Sequence, residues 1–462
     1  NQYLTLAESN SNRGTSLTLA NYDAKSSAQR WYLTPAEPPA GDTMNISATY
    51  TSNEAFMTSS TDYRGVKTNY NYNTVDGTLK SLTENADGKF NSQSRTTEYT
   101  YDNNTKALKS VTLKDGQNVF QNTYTYNSAK LLSTIRHNGF DYIFIYDEFG
   151  NMKETKVGSR TLMRNEYNAR NGKILSSTYG NGDKIQYTYD NFERLSQINR
   201  DGEITNYKYN LSGQLVNVTD NTGKYTYYYD SIDRMTRMVY PDGGNIKYVY
   251  DKNNRLTAIK TNLGGTQRLT GYEYLLDGKL SKTNLPTGKS VVYKYDGLDR
   301  SLTSSIDGVL NTSYSYESAG AGKTTPLVSS VTINGKKTDY TYDAYGNILT
   351  ITEDGVLKHS YTYDARNQLV KDVSGEDTYV YTYDAGGNLL SVQLNGETVK
   401  TYAYGDENWK DLLTSFNGQD IIYDEIGNPL SYRGMTMQWK GGRRLASLTK
   451  DGLSVSYEYN TD

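Results

Sequence analysis

The sequence contains no cysteine and only two histidines among its 462 residues. Without thiols the chain can form no disulfide, no thiol nucleophile and no thiolate metal site. This composition fits a cytosolic protein, or a bacterial exported protein that relies on its fold rather than on disulfides. The two histidines, His137 and His359, lie far apart in the sequence. We expect both at solvent-facing strand positions rather than in a catalytic or metal site.

An excess of one charge sign and long apolar runs are also lacking. Lys and Arg number 49 against 52 Asp and Glu, for a formal net charge of -3. A nucleic-acid partner would require a basic stripe, so none is predicted. No segment approaches the roughly 18 consecutive apolar residues of a membrane helix, and no signal peptide opens the chain. The first residues, NQYLTLAES, look like the middle of a folded domain, so we expect both ends to be cuts in a longer chain.

Proline and phenylalanine are scarce, at 7 and 8 residues, whereas tyrosine reaches 46 and glycine 40. The tyrosines follow a pattern. The dozen residues YVYDKNNRLTAI begin at Tyr248, and near-copies begin at Tyr187, Tyr207, Tyr227 and Tyr381. A unit repeated this often is either a binding site in many copies or a structural building block.

The second tyrosine of each copy returns at intervals of 20 or 21 residues in the most regular runs, and the pattern extends from about residue 99 to residue 459. Self-similarity at a fixed short period is the signature of a repeat architecture. Tyrosines that stack on nucleic acid come with a basic groove, so we interpret these as structural residues that pack across neighbouring strands. The predicted structural tyrosines are Tyr187, Tyr189, Tyr207, Tyr209, Tyr227, Tyr229, Tyr248, Tyr250, Tyr293, Tyr295, Tyr340, Tyr342, Tyr361, Tyr363, Tyr381 and Tyr383.

Each repeat is predicted to form two strands. Alternation in Tyr-x-Tyr puts both rings on one face, and the Asp-x-x-Gly or Asp-x-x-Asn that follows is turn chemistry. Leu256 and Ile259 are three residues apart, which breaks the alternation, so we place the leucine in the turn exit or beside a β-bulge. A second turn divides the repeat and predicts a two-residue hairpin. It occurs at Asp201-Gly202, Asp242-Gly243, Asp307-Gly308, Asn334-Gly335, Asp354-Gly355 and Asn395-Gly396.

Roughly 17 hairpins would give about 34 strands, a ribbon of about 160 Å at about 4.8 Å per strand. Open sheets rarely exceed about 10 strands without curling, and propeller blades would need about 40–45 residues each. The sequence therefore predicts an all-β fold. Antiparallel hairpin repeats of about 20 residues coil into a β-spiral or hollow shell, with a small N-terminal β segment.

Four parts are expected along the chain. Residues 1–34 form the end of a β-domain, and residues 35–42 form a Pro-rich tether. Residues 43–95 are degenerate repeats. Residues 96–462 are the regular β-spiral, truncated at its C-terminus.

The repeat unit Y-x-Y-D-x-x-G/N-R/N-L-x-x-I/V resembles the YD repeat of the RHS family, which occurs in bacterial toxins and wall-associated proteins and in teneurins. The resemblance implies a hollow β-spiral shell that wraps a C-terminal toxic or variable domain. Many family members end the shell in a segment with an Asp-Pro-x-Gly-Leu motif, where autoproteolysis frees the cargo. Here the last residues, YEYNTD, still belong to a repeat, so no release residue carries over.

The N-terminal segment AQRWYL is similar to the Gln-x-Trp signature of ricin-type β-trefoil lectins. In that family the motif is chiefly core packing, which gives Gln29 and Trp31 a lectin-like core role. A trefoil needs three such lobes, and this sequence contains one copy of the motif. The alternative is the end of an ordinary β-domain with a buried tryptophan.

Two segments approach a phosphate-binding loop without matching it. In ESAGAGKTT the first glycine position is Glu317, and in TNLPTGKS it is Thr283. Both segments are predicted to be hairpin loops. The aspartate of each Tyr-x-Tyr-Asp recurs in many repeats, as a turn former does and a catalyst does not. No catalytic residue, cofactor or metal is predicted.

The sequence therefore favours a structural role, the wall of a secreted or cell-surface bacterial shell that encloses a C-terminal toxin or variable domain of the same full-length chain. The alternative is a cell-surface adhesin or carbohydrate-binding stalk that contacts glycans. An enzyme has no supporting residues. We also expect Tyr248 and Tyr250 to stack on tyrosines one repeat away and to face a water-filled lumen, so that Tyr250→Phe would cost little stability.

Overall fold

A computed structural model describes residues 2–6, 17–21, 43–115 and 118–459. The predicted tether and the lectin-like residues Gln29 and Trp31 lie outside the described residues. The described part of the chain is built almost entirely from strands, with one turn of 3-10 helix at Lys89–Asn91. In this part no helix is long and apolar enough to cross a membrane. The predicted all-β fold is confirmed.

The strands follow one another along the chain at short intervals. They are β1 (Gln2–Leu6), β2 (Leu17–Asn21), β3 (Ser47–Tyr50), β4 (Met57–Thr61), β5 (Lys67–Tyr72), β6 (Leu79–Glu84), β7 (Arg95–Tyr101), β8 (Leu108–Asp115), β9 (Asn118–Tyr126), β10 (Leu132–His137), β11 (Phe140–Tyr146), β12 (Met152–Val157), β13 (Arg160–Tyr167), β14 (Ile174–Tyr179), β15 (Lys184–Tyr189), β16 (Leu195–Arg200), β17 (Glu203–Tyr209), β18 (Leu215–Asp220), β19 (Gly223–Tyr229), β20 (Met235–Val239) and β21 (Asn245–Tyr250). They continue as β22 (Leu256–Leu263), β23 (Thr266–Tyr274), β24 (Leu280–Asn284), β25 (Ser290–Tyr295), β26 (Ser301–Ile306), β27 (Leu310–Gly320), β28 (Lys323–Ile333), β29 (Lys336–Tyr342), β30 (Ile348–Glu353), β31 (Val356–Tyr363), β32 (Leu369–Ser374), β33 (Asp377–Tyr383), β34 (Leu389–Leu394), β35 (Glu397–Ala403), β36 (Ser415–Phe416), β37 (Gln419–Asp420), β38 (Ile422–Tyr423), β39 (Pro429–Tyr432), β40 (Met435–Lys440), β41 (Arg444–Lys450) and β42 (Leu453–Ser456).

Each strand pairs with its neighbour in sequence, and the pairs are antiparallel. Strands β3 to β37 form one continuous sheet that closes on itself, and β38 to β42 form a further five-stranded sheet. Strands β1 and β2 pair as a separate hairpin. The residues predicted to be degenerate repeats, 43–95, contribute β3 to β6 and join the same sheet.

Consecutive turns lie at opposite rims of the sheet, as an antiparallel meander requires. We call the turn after Tyr-x-Tyr the YD turn and the turn in the middle of the repeat the hairpin turn. The predicted bulge is confirmed beside the YD turn. Val249 pairs with Ala258 but Tyr250 pairs with Leu256, so one extra residue is inserted there.

Four of the six predicted two-residue hairpins have the expected backbone, with positive φ at both residues: Asp201-Gly202, Asn334-Gly335, Asp354-Gly355 and Asn395-Gly396. The predictions at Asp242-Gly243 and Asp307-Gly308 were wrong in this respect, because only the glycine has positive φ. These two turns belong to longer loops between strands, where a turn can close with a single left-handed residue.

The sheet is a single layer. Among the described residues, strands contact their neighbours in the sheet, and most side chains on both faces stay exposed or half-buried. Buried hydrophobic side chains are correspondingly few. They are Val66, Phe140, Val157, Ile185, Ile198, Val218, Ala344, Val392, Leu412, Ile421, Ile426 and Met437.

The ribbon completes one coil and begins a second that lies on the first. Thr43 forms an isolated parallel bridge with Lys323, 280 positions later, and this contact marks where the second coil meets the first. Its backbone N–H donates to Gly322 O at 2.9 Å, and its carbonyl accepts from Thr324 N–H at 3.0 Å. We call residues 43–320 the first coil and residues 323–459 the second coil.

Candidate functional site

The YD turn is closed by its aspartate, as predicted. In the repeat that begins at Tyr248, Oδ1 of Asp251 accepts the backbone N–H groups of Asn253 and Arg255 at 2.8 and 2.9 Å. Asn254 takes the left-handed conformation, with φ of 65°. The N–H of Arg255 and then its guanidinium hold the pKa of Asp251 below its ordinary value, although partial desolvation opposes them. The recurring aspartates are therefore turn formers.

The same aspartate also links one repeat to the next. Oδ2 of Asp251 accepts from Nε of Arg255 at 2.8 Å. The Arg255 guanidinium lies over the ring of Tyr274 in the following repeat, 5.0 Å from its centroid. We call this unit of aspartate, arginine and tyrosine the repeat joint. It recurs at Asp190, Arg194 and Tyr209, at Asp230, Arg234 and Tyr250, and at Asp296, Arg300 and Tyr316.

The hydroxyl of the second tyrosine has a fixed acceptor. Tyr250 Oη donates to the carbonyl of Met235, in the preceding repeat, at 2.9 Å. Met235 lies at the bulge of its own repeat, where the strand ladder is interrupted. Equivalent bonds to the preceding repeat are made by Tyr126, Tyr146, Tyr167, Tyr189, Tyr209, Tyr229, Tyr274, Tyr295, Tyr316, Tyr342, Tyr363, Tyr383, Tyr404 and Tyr459.

This geometry explains why the repeat uses tyrosine rather than phenylalanine. The ring of Tyr250 lies under the guanidinium of Arg234, 4.6 Å from its centroid, while its hydroxyl satisfies a backbone carbonyl. The expected stack of tyrosine on tyrosine is thus replaced by arginine on tyrosine at this joint. For Tyr229 and Tyr189, burial raises the pKa of the phenol. The hydroxyl therefore stays protonated and can donate its hydrogen bond to the carbonyl.

All eight predicted tyrosine pairs lie on the less exposed face of the sheet. Their rings are half-buried, whereas the residue between the two tyrosines is exposed in each pair. The half-buried tyrosines are Tyr187, Tyr189, Tyr207, Tyr209, Tyr227, Tyr229, Tyr248, Tyr250, Tyr293, Tyr295, Tyr340, Tyr342, Tyr361, Tyr363, Tyr381 and Tyr383. The pairs therefore form one continuous aromatic face.

Removing the hydroxyl of Tyr250 should lower the stability of the fold by more than the sequence suggested. We expect Tyr250→Phe to lower the free energy of unfolding by about 1 kcal/mol, because the Met235 carbonyl loses its partner. Tyr250→Ala should lower it by about 3 kcal/mol or more, because a packed ring is lost as well. Urea denaturation followed by circular dichroism measures both. A Tyr250→Phe variant as stable as the parent would show that the bond contributes nothing.

The two histidines do not occupy the expected solvent-facing positions. His137 Nδ1 lies 2.8 Å from Asn122 Oδ1, and its Nε2 lies 3.5 Å from Asp411 of the second coil. His359 Nδ1 lies 3.1 Å from Asp372 Oδ1, and the His359 ring stacks on the ring of Tyr361. Both side chains are partly buried. His137 contacts Asp411 of the second coil, and His359 contacts side chains of its own and the neighbouring strand. The described residues contain no group of three or more acidic or histidine side chains able to hold a metal ion.

The two segments that approach a phosphate-binding loop are hairpin loops, as predicted. Gly320 to Lys323 forms the tip between β27 and β28, and Leu285 to Gly288 forms the turn between β24 and β25. Glu317, at the first glycine position, instead forms an ion pair with Arg64.

The sequence analysis did not predict the contact between the two coils, which we call the seam. The hairpin turns of the first coil meet the YD turns of the second coil there. Asn138 Nδ2 donates to Asp384 Oδ2 at 3.0 Å, and Arg160 Nη2 donates to Asp406 Oδ2 at 2.6 Å. Further seam contacts are Arg95 with Asn367, Ser159 with Asn408, Asn181 with Asp424, Asp183 with Gly442, and Glu203 with Lys440.

Arg64 contacts both coils at the seam. Its Nε lies 2.7 Å from Glu317 Oε2, and its Nη2 donates to Glu317 Oε1 at 2.9 Å and to the Tyr342 carbonyl at 3.2 Å. Its Nη1 donates to the Asp343 carbonyl. The Arg64 side chain is only 5% exposed, because Glu317 and Phe90 of the first coil and two backbone carbonyls of the second coil surround it. The guanidinium therefore joins two coils that share few backbone hydrogen bonds.

Small residues occupy three of the YD turns that the seam covers. Alanine follows the turn aspartate at Ala344, Ala365 and Ala385, and Ala344 is only 6% exposed. In the turn after Asp384 a Cβ on Gly386 would lie 2.3 Å from Nδ2 of Asn138, so the first coil leaves no room for a side chain. The alanine is not a general signal of the seam, because Asp406 and Asp424 are followed by glutamate and Ala385 is exposed.

Comparison with known proteins places this fold. Residues 155–345 match the family model described as Teneurin YD-shell. The crystal structure of TcdB2-TccC3-TEV superposes with a TM-score of 0.71 at 13% identity, covering 87% of this chain and 24% of that one. A Photorhabdus luminescens Tc holotoxin pore gives 0.71 at 14%, covering 90% and 24%. TcdB2-TccC3 without its hypervariable C-terminal region gives 0.72 at 14%, covering 87% and 24%.

The chain therefore spans about a quarter of the length of these solved structures. At such low identity the likeness establishes the fold alone, and the fold is the YD-repeat shell. A search of curated proteins found no match.

Proposed function

We propose that this chain, which has the YD-repeat shell fold, forms the wall of a secreted bacterial container. The wall would enclose a C-terminal toxin or variable domain of the same full-length chain. This function requires a closed, hollow and stable sheet, and it requires no catalytic residue in the wall itself.

The single observation that carries the proposal is a one-layer sheet closed on itself by the seam. From Arg64 to Asp343 the ribbon passes through strands β5 to β29 before the coils meet. About 25 strands at about 4.8 Å each give a ring about 120 Å around and about 40 Å across. A ring this wide cannot be filled by its own side chains, which reach only about 5 Å from each face of a packed sheet. The remainder is a lumen.

The solved structures with this fold support an enclosed C-terminal cargo. They belong to Tc toxin complexes, and one of them lacks a region that its name calls the hypervariable C-terminal region. A wall of one fold with a variable C-terminal region is the organisation expected of a container that carries different cargoes.

The aromatic face is our candidate for the lining of the lumen. Side chains on the concave side of a coiled sheet converge and shield one another, and the tyrosine face is the less exposed one. Such a lining is amphipathic, since the phenol rings are packed while their hydroxyls are bonded to backbone carbonyls. The arginines that lie over these rings are paired with the turn aspartates, as Arg255 is with Asp251, so the lining would present little unpaired charge to the cargo.

The absence of cysteine allows a direct test of the lumen. Lys260 and Thr261 are adjacent in β22, and Thr261 shares the face of Tyr248 whereas Lys260 faces the other way. We expect Lys260→Cys to react with both a small maleimide and a large polyethylene glycol maleimide. Thr261→Cys should react with the small reagent but much more slowly with the large one. Equal reaction of both variants with the large reagent would contradict a hollow wall lined by this face.

The cargo requires a separate test, because a hollow wall alone does not identify its contents. Sequencing the full reading frame beyond residue 462 should reveal a variable domain directly after the repeats. Further binding modules or a wall anchor at that position would instead favour an adhesin.

A further inference from the structure

The YD turns of the first coil carry large apolar side chains in open solvent. We call this row the free YD rim and define it by five residues, which occupy five of the seven YD turns between β11 and β24. Their exposed fractions are 65% for Phe149, 73% for Phe192, 99% for Leu211, 62% for Ile232 and 107% for Leu276. Successive YD turns are two strands, or about 10 Å, apart. Phe192, Leu211 and Ile232 occupy three successive turns and form a continuous apolar row along one edge of the shell. Phe149 and Leu276 lie beyond its two ends, each separated from it by one turn, which carries Arg170 on one side and Lys252 on the other.

The same turn has a different environment in the second coil. There Ile426 is fully buried. It lies two residues after the turn aspartate, which is also the position of Phe149, Phe192 and Ile232 in their turns. Its side chain packs beside Gly180, where an added Cβ would lie 3.1 Å from Ile426 Cγ2. Gly180 belongs to a hairpin turn of the first coil. A hairpin rim is thus the surface that covers an apolar YD turn in this fold.

We propose that the free YD rim binds the hairpin rim of a second copy of this chain, so that shells stack head to tail. The second coil presents that rim uncovered, with the hairpin turns at Asn334-Gly335, Asp354-Gly355, Asn395-Gly396 and Asn417-Gly418. Stacking would continue the seam that already joins the two coils of one chain. Exposed apolar rows of this kind mark interaction surfaces, and the rim that fits this row is present on every copy.

The contact joins two different surfaces, so it does not close on itself. A dimer built this way leaves one free YD rim and one free hairpin rim, and a further copy can add to either end. The association state should therefore rise continuously with protein concentration rather than stop at a dimer.

Sedimentation velocity of the purified chain from low to high micromolar concentration tests the proposal. We expect growing oligomers for the parent chain, and association weakened at least about 10-fold when Phe192→Ser is combined with Ile232→Ser. The matched control combines Ile145→Ser with Val249→Ser, two residues that precede the last tyrosine of their strands, lie outside the turns and are each 39% exposed. The control should associate like the parent. A parent chain that stays monomeric would overturn the proposal, as would equal association of the rim variant and the parent.

Two further variants separate the rim from the other exposed edge of the shell. Leu211→Ser with Leu276→Ser changes the most exposed rim positions, so it repeats the test if the first variant folds poorly. Val455→Pro disrupts strand pairing at the end strand β42, whose residues are all exposed. Loss of association in Val455→Pro together with full association of both rim variants would show pairing of strand edges, and would overturn the proposal.

Discussion

Deletion of residues 210–219 should prevent the second coil from docking, whereas deletion of residues 210–229 should leave a folded shell. The shorter deletion removes half a repeat and therefore one strand. Every later strand then runs in the opposite direction, and its YD turn moves to the other rim. The YD turns from Asp343 to Asp424 could no longer meet the hairpin turns of the first coil, so all the seam contacts would be lost together.

The longer deletion removes a whole repeat and keeps each turn on its rim. The ring would shrink by two of about 25 strands, and the repeat joints on either side would re-form because Tyr209 would be followed by Asp230 in place of Asn210. We expect a cooperative thermal transition at a moderately lower temperature, as in other proteins whose units contact mainly their neighbours. Circular dichroism melts with limited proteolysis compare the two deletions. Equal damage by both would mean that neither the repeat nor the seam is organised as described.

The sequence predicted the parts of this fold that depend on local interactions. The strand of Tyr248 and Tyr250, the turn at Asp251 and the bulge at Leu256 all follow from residue types within a dozen positions. The positive φ at Asn334-Gly335 likewise follows from the dipeptide itself. The same chemistry is repeated in each unit, so a local pattern determines most of the sheet.

The acceptor of the tyrosine hydroxyl could not be predicted in the same way. Met235 lies fifteen residues before Tyr250, and its carbonyl is available because of the bulge in its own repeat. The pattern of residue types locates the bulge but does not show which group bonds there. The sequence therefore indicated a packed ring with its hydroxyl in polar surroundings. It did not indicate the hydrogen bond to Met235, so the loss of stability expected for Tyr250→Phe was too small.

The seam was invisible because its partners are set by the circumference of the coil. Arg64 and Asp343 are 279 positions apart, whereas Glu203 and Lys440 are 237 apart, so no fixed period links them. The separation depends on loop lengths and on the long strands β27 and β28, which a repeat count does not capture. His137 was misplaced for this reason, since its partner Asp411 belongs to the other coil.

The seam gives the largest effect that we expect from a single substitution. Arg64→Ala should lower the free energy of unfolding by about 3–5 kcal/mol, because Glu317 would be left partly buried without its counter-charge. The Tyr342 and Asp343 carbonyls would lose their donor as well. Urea denaturation gives the change in stability. Hydrogen exchange should show the loss of protection concentrated around residues 317 and 343, with little change in the repeat joint at Tyr209.

The control for Arg64 is Arg136, which also forms an ion pair but lies at the surface. Its side chain is 57% exposed and its partner Asp141 is 34% exposed, so Arg136→Ala should change stability by less than about 1 kcal/mol. Combining Arg64→Met with Glu317→Leu should recover much of the lost stability, since no unpaired charge remains at the seam. If Arg64→Ala and Arg136→Ala proved equally mild, the enclosed guanidinium would not be what holds the second coil on the first. The backbone bridge at Thr43 and the polar contacts of Asn138 and Arg160 would then have to be sufficient.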